Sequence, residues 1–322
     1  MTSLTGRILY SSFLRKKKNP DDRITLAGVR QQMEEMSRNF RLPKGLIVQP
    51  CTTGSVPAEW LIPEGVSENK TLLYFHGGGF VMNSLNTHRA LTSRIAEAGA
   101  IRALSVDYRL APEHPYPAAI DDCLAVWKWL ISTGESPSNI VVAGDSAGGN
   151  LALTLMLSLR DAGEPLPAAA VCLSPITDLA LTGESIRTKA ALDPILSAPG
   201  AGPVRTTAPV TFINPAEIKA TEISLSWYYR NHDPREPLLS PLYADLRGLP
   251  PVLLHAGEYE ILLDDSIRIA DRIHATGGKA ELVVWPRMFH VFQMLAPLLP
   301  EAGKSIRQIG AFIRKNTGSG RR

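Results

Sequence analysis

Apolar residues along this chain follow two alternating rhythms, and one long stretch obeys neither. Short, largely apolar runs at 72–75, 101–106, 140–143 and 168–173 predict buried strands. Between and after them, at 86–98, 118–132 and 147–160, apolar positions recur at helical spacing. Strands apolar on both faces, separated by amphipathic helices, predict an α/β fold with a mostly parallel central sheet flanked by helices. From about 178 to 235 the rhythm fails. Pro194, Pro199, Gly200, Gly202, Pro203, Pro209 and Pro215 crowd that stretch ahead of a helical piece at 216–229. A long irregular insertion in an α/β domain is usually a lid or binding element. The rhythm resumes with a strand at 252–255, a helix at 265–275, a strand at 282–285 and a closing helix near 304–315.

Ahead of the sheet, Met33, Met36 and Phe40 mark a helix over 21–40 with an acidic start at Asp21-Asp22. Strand-like runs at 46–50 and 59–62, with Gly54-Ser55 between them, predict an antiparallel hairpin at the sheet edge. The tail 316–322 reads as disordered. The expected organisation is therefore N-terminal helices over 1–45 and an α/β domain over 46–322, interrupted at about 178–235. A length of 322 residues suits one large domain with a small accessory piece.

Composition adds mainly exclusions. A net charge of +3, dispersed along the chain, argues against nucleic acid as a partner. No run of about 18 apolar residues predicts a membrane span. Near the N-terminus the apolar Ile8-Leu9-Tyr10 precedes the basic run Arg15-Lys16-Lys17-Lys18, the reverse of a signal peptide. That order predicts a cytoplasmic chain with the basic run on a solvated helix face. Cys51, Cys123 and Cys172 are odd in number and widely spaced, which predicts buried thiols in a reducing compartment and no metal site.

The candidate chemistry centres on Gly144-Asp145-Ser146-Ala147-Gly148-Gly149, between an apolar strand and an apolar helix. A serine at so sharp a strand-to-helix turn projects its hydroxyl above the sheet, and the helix N-terminus aims free N–H groups at the same place. Such a serine needs a base, and the base an orienting acid, in chain order Ser, acid, His. His290, just after the strand at 282–285, is the candidate base; His255, His232 and His274 fall in strand, loop or helix contexts. The acid belongs in the loop after 252–255, where Glu260 is the first choice and Asp264 the second. Asp264 and Asp265 stand where helix capping would employ them, and Glu258 is closest to the strand end. His76-Gly77-Gly78-Gly79-Phe80 follows the strand at 72–75, where an oxyanion-binding loop belongs. Gly78, Gly79 and Ala147 N–H groups are the expected donors, with His76 holding the loop. Arg109 and Glu113 are expected to pair beside the site. Phe80, Trp227, Tyr228, Tyr229 and Met288 are candidates either for a pocket lining or for core.

His76-Gly77-Gly78-Gly79, Asp107-Tyr108-Arg109-Leu110-Ala111-Pro112-Glu113, Gly144-Asp145-Ser146-Ala147-Gly148 and the late His290 together resemble the bacterial hormone-sensitive-lipase family of α/β-hydrolases. The resemblance spans about 70–292, and the elbow is similar to that of the Gly-Asp-Ser-Ala-Gly subgroup. It implies an α/β-hydrolase fold with a helical cap, built from the N-terminal helix and the 178–235 insertion over an acyl pocket. It implies a carboxylesterase acting on small ester substrates with short- to medium-chain acyl groups, without a cofactor, and a possible homodimer. Most members carry Asp where Glu260 stands. Some lactone hydrolases look similar in the acid loop, so a cyclic ester is an open reading, as is an amide. A non-catalytic binding homologue, as in plant gibberellin receptors, lacks the histidine that this chain has at 290.

Overall fold

Leu72, Leu73, Tyr74 and Phe75 are all fully buried, Leu72 and Tyr74 in one apolar cluster and Leu73 and Phe75 in another. Successive residues of a strand point to opposite faces, so an unbroken apolar run requires cover on both. A computed structural model, which describes residues 2–17, 25–196 and 225–317, has that layered form. Its elements are α1 (Leu4–Lys17), α2 (Leu26–Ser37), β1 (Ile47–Thr53), β2 (Val56–Ile62), β3 (Ser67–Phe75), α3 (Leu85–Gly99), β4 (Ile101–Val106) and α4 (Ala118–Ser132). They continue with β5 (Ile140–Asp145), α5 (Ala147–Asp161), β6 (Ala169–Leu173), the single turns α6 (Ser185–Thr188) and α7 (Ser226–Tyr229), β7 (Val252–Gly257), α8 (Leu263–Ala275), β8 (Ala280–Trp285) and α9 (Pro300–Thr317).

The eight strands form one sheet in the order β1-β2-β4-β3-β5-β6-β7-β8. β1 and β2 pair antiparallel around the Gly54 turn, β2 is antiparallel to β4, and the remaining neighbours are parallel. One face carries the cluster that includes Trp127 of α4, Leu151 and Leu155 of α5 and Ile269 of α8. The other carries Leu91 and Ile95 of α3 with Ile309 and Ile313 of α9. The chain runs from β3 outward to β4 and returns to the far side of β3 with β5. Ligand sites of open α/β sheets lie at the carboxyl ends of strands at such a reversal. The glycine loop after β3 and the turn after β5 meet there.

α2 begins at Leu26 behind a Thr25 cap whose side chain accepts from Gly28 N–H. The acidic start expected at Asp21-Asp22 lies outside the described residues, as do most of the 216–229 helix, the proline cluster from Pro199 to Pro215 and the tail from 318. The side chains of Arg15 to Lys18 also lie outside them. Cys123 and Cys172 are buried and free, and burial pushes the Cys172 thiol up to about 12. Cys51, on the edge strand β1, is only half-buried, because that strand has a neighbour on one side alone.

α9 packs on α3 closely enough that a Cβ on Gly310 would lie 2.3 Å from the carbonyl oxygen of Ala98. Both contacting partners are helix backbone, and neither can yield by rotating a side chain. Gly310→Ala should therefore destabilise the fold by about 1–3 kcal/mol, read as a lowered Tm in thermal denaturation.

Candidate active site

Ser146 is the residue between β5 and α5, and its backbone sits at φ 53°, ψ −116°. A residue with a side chain stays in that region only where its surroundings over-determine it. Ser146 N–H donates to Leu173 O at 2.8 Å, and Ser146 O accepts from Ile176 N–H and Asn150 N–H, each at 3.2 Å. The glycines on either side make room for the turn. A Cβ on Gly148 would stand 1.9 Å from Phe75 O, and one on Gly144 would stand 2.3 Å from the Gly148 carbonyl carbon. The Ser146 side chain is left at the N-terminus of α5 in a residue 8% exposed.

The glycine loop after β3 is fastened to this turn by Asp145. Its Oδ1 accepts from Gly77 N–H at 3.1 Å and from the Tyr74 hydroxyl at 2.7 Å, and its Oδ2 meets His88 Nε2 at 3.2 Å. Burial pushes this carboxyl up, but the charge and hydrogen bond of His88 and the Tyr74 hydroxyl outweigh it, and the net is below the ordinary carboxylate value. Gly78 at φ 123° takes a conformation that a side chain would oppose, and its Cβ would lie 2.2 Å from Met82 O. His76 Nδ1 bonds Gly77 O at 2.8 Å, and the imidazole lies on the Tyr108 ring with centroids 4.4 Å apart. Burial, with His88 next, lowers its pKa to about 4, so it is a neutral brace. The Tyr108 hydroxyl donates to His76 O and Asn83 Nδ2 to Gly77 O. Among the described residues, no hydrogen bond occupies the N–H groups of Gly78, Gly79 or Ala147.

Glu260 and His290 come together from the loops after β7 and β8, with Glu260 Oε2 3.9 Å from His290 Nδ1. That is ion-pair range and about 1 Å beyond a hydrogen bond. Glu260 is fully buried and His290 6% exposed, and Glu260 Oε1 and His290 Nδ1 have no hydrogen-bond partner among the described residues. Burial pushes Glu260 up to about 8, opposed by the Ser174 hydroxyl and reinforced by Asp193 and Asp265. Burial lowers His290, while Asp193 and Asp145 raise it, and the net is below the ordinary imidazole value. Ser174, directly after β6 and itself at φ 46°, links the pair: its hydroxyl donates to Glu260 Oε2 at 2.7 Å and accepts from Val291 N–H at 3.2 Å.

Several expectations are corrected. Arg109 does not pair with Glu113. Its guanidinium forks onto Asp122 of α4 at 2.7–3.0 Å, and its backbone N–H takes the same carboxylate. Glu113 instead meets Arg30 of α2, which also donates to Val81 O and Ala111 O. Asp264 and Asp265 do not cap α8. Asp264 accepts from Ser185 N–H, and Asp265 from the N–H groups of Thr177 and Asp178, so both hold the opposite segment. Glu258 accepts from Arg287 N–H. His255 bonds Ser305, His232 bonds Glu236 and His274 meets Ala280 O. Phe80 stacks on Tyr228 at 3.8 Å, and both belong with Trp227 to the main core, against which Tyr229 packs; Met288 is buried in a smaller cluster.

Sequence reasoning gave no role to Asp145, Tyr74, His88, Ser174 or Asp193. For Asp145 and Ser174 a signal existed: each is a polar residue at the carboxyl end of a wholly buried parallel strand. Among the described residues, no group of three or more His, Cys, Asp or Glu is arranged to hold a metal ion, and no helix is long and apolar enough to cross a membrane.

A sequence profile of α/β-hydrolase-fold proteins matches residues 72–294. An acetyl-hydrolase of Streptomyces hygroscopicus is 38% identical over 287 residues, covering 89% of this chain and 88% of its own. An esterase of Acinetobacter venetianus is 34% identical, covering 88% and 87%. The crystal structure of an esterase from the bacterial hormone-sensitive lipase family superposes with a TM-score of 0.88 at 39% identity, over 99% of this chain and all of that one. With the eight-stranded sheet and the turn at Ser146, these likenesses establish that the chain belongs to the bacterial hormone-sensitive-lipase family of α/β-hydrolases.

Proposed function

We propose that this chain is a serine carboxylesterase in which Ser146 is the nucleophile, His290 the general base and Glu260 the orienting acid. That it is a carboxylic ester hydrolase follows from its family and relatives. The observation that carries the mechanism is the strained Ser146 at the α5 N-terminus, facing a glycine loop with unengaged N–H groups. In the proposed cycle the Ser146 hydroxyl proton passes to His290 as the oxygen attacks the ester carbonyl. The carbonyl oxygen becomes an oxyanion, and the N–H groups of Gly78, Gly79 and Ala147 receive it. The proton then goes from His290 to the departing alcohol, and water repeats the sequence on the acyl-enzyme. Glu260 closes on His290 as the imidazolium forms; catalytic hydrogen bonds are often long before substrate binds.

The substrate class we assign is small esters with short- to medium-chain acyl groups, under a cap to which α1, α2 and the described parts of the 178–235 insertion contribute; its residues 197–224 lie outside those described. Two contacts support the cap assignment. Arg30 of α2 joins Val81 O to Ala111 O and Glu113, and Tyr10 of α1 lies against Tyr259 and Phe289 with ring centroids 5.4 and 6.4 Å away.

Four outcomes test this reading. On p-nitrophenyl esters from acetate to palmitate, wild-type rates should peak among the shorter acyl chains. Ser146→Ala should lose at least ~10⁴-fold in kcat; comparable rates in both proteins would sink the nucleophile assignment. Because burial lowers the His290 pKa, the acid limb of kcat/KM should fall below pH 6.5; a rate already halved at pH 7 contradicts the base assignment. Glu260, raised from 4.5 to about 8, makes the native state lose stability as pH climbs through that window. Glu260→Gln cannot ionise, so its Tm should exceed that of wild type at pH 9 but not at pH 4, by about 2–4 °C per kcal/mol, while kcat falls. Differential scanning calorimetry at the two pH values decides it.

A further inference from the structure

Asp193 is, like Glu260, a fully buried carboxylate, and the cycle above has no role for it. Its Oδ1 accepts from the N–H groups of Ile195 at 2.9 Å and Leu196 at 3.1 Å, and its Oδ2 from Ile261 N–H at 3.0 Å. Three backbone donors are the kind of solvation a buried anion requires. Ile261 is the neighbour of Glu260, so one of those bonds fixes the acid loop. On the other side of Asp193, Leu192 O accepts from the Tyr10 hydroxyl at 2.9 Å, and the Tyr10 ring lies on Phe289, the residue before His290. Asp193 is thus connected to both loops that bring Glu260 and His290 together, and it is the first of the charges that raise His290, ahead of Asp145.

We infer that Asp193 is a positioning residue of this esterase, which holds the Glu260 loop through Ile261 and supplies a fixed negative charge to the imidazolium of His290. The inference rests on the acyl-transfer reading given above. Its physical need is visible in the Glu260–His290 pair: the separation is 3.9 Å and Glu260 Oε2 is already engaged by Ser174. A charge that does not depend on closing that gap eases formation of the imidazolium. The proton balance is unchanged. It leaves Ser146 Oγ, resides on His290 and departs with the alcohol, while Asp193 neither accepts nor donates it. Among the described residues, the ionisable groups that interact with Asp193, Glu260 or His290 include Tyr10 from α1, itself beside Tyr259 of the acid loop, Asp145 from the end of β5 and Asp265 from α8.

The test is titration of the His290 imidazole by NMR, together with kcat/KM against pH, in wild type and Asp193→Asn. The asparagine keeps an oxygen for backbone N–H groups and removes the charge. The His290 midpoint should fall by about one pH unit, moving the acid limb to lower pH. At neutral pH kcat should fall about tenfold, with KM nearly constant. Asp193→Glu, which retains the charge, should keep a midpoint close to that of wild type. Should the asparagine variant not fold, Asp193→Ser retains an oxygen for Leu196 N–H and reads the same midpoint. An unmoved midpoint, whatever happens to the rate, overturns the inference and leaves Asp193 a structural cap. The NMR titration needs no substrate, so a chain inactive on every ester would overturn the acyl-transfer reading while the field of Asp193 at His290 was still measured.

Discussion

The carboxylate of Asp145 joins two segments that lie 68 residues apart, the turn that carries Ser146 and the loop that begins at Gly77. Neither segment is a regular element, and each holds backbone conformations that an isolated peptide would abandon. A charge in so dry a place is costly unless its oxygens are fully engaged. Tyr74, Gly77 and His88 engage them, from β3, the loop after it and α3. The two halves of the proposed oxyanion site thereby share one anchor, and the spacing between Ser146 and the glycine loop cannot drift independently on either side. His76, stacked on Tyr108, and the close approach of Gly148 to Phe75 O complete the frame.

What the sequence disclosed follows the distance over which each feature is determined. Ser146, Gly144 and Gly148 were legible because the strain of a strand-to-helix turn is settled within a few residues, and glycine answers it directly. The sheet was legible because runs such as Leu72 to Phe75 are apolar on both faces. The encounter of Glu260 with His290 was legible one step removed, since each lies just past a strand whose neighbour in the sheet is parallel. The partners of Ser174 and Asp193 were not legible, since Glu260 and Ile261 lie 86 and 68 residues away. The place of Ser174 just past a buried parallel strand marks a polar group in a dry setting without naming what it meets, and Asp193 carries no such local mark.

The corrected pairings carry the same lesson from the other side. Arg109 and Glu113 are near neighbours in sequence, yet the chain between them turns so that each finds a partner elsewhere, Asp122 and Arg30. Asp264 and Asp265 have the residue type of helix caps, but a stronger demand exists across the interface. The N–H groups of Thr177, Asp178 and Ser185 are removed from water by packing against α8, and a carboxylate is the nearest available acceptor. Proximity in sequence is a poor guide wherever burial strips a distant backbone group of its solvent.

The hydroxyl of Ser3 donates to Glu301, 298 positions further along the chain, and Gly6 of α1 packs against Leu299. A growing chain makes α1 long before α9 exists, at about 5–20 residues per second. For many seconds of synthesis, then, the helix that carries Tyr10 has no surface on which to rest, and it must be kept from wrong partners until the last helix emerges. The piece of chain that carries Tyr10 against Phe289 is thus made well before the surface that receives it, and is among the last to find its place.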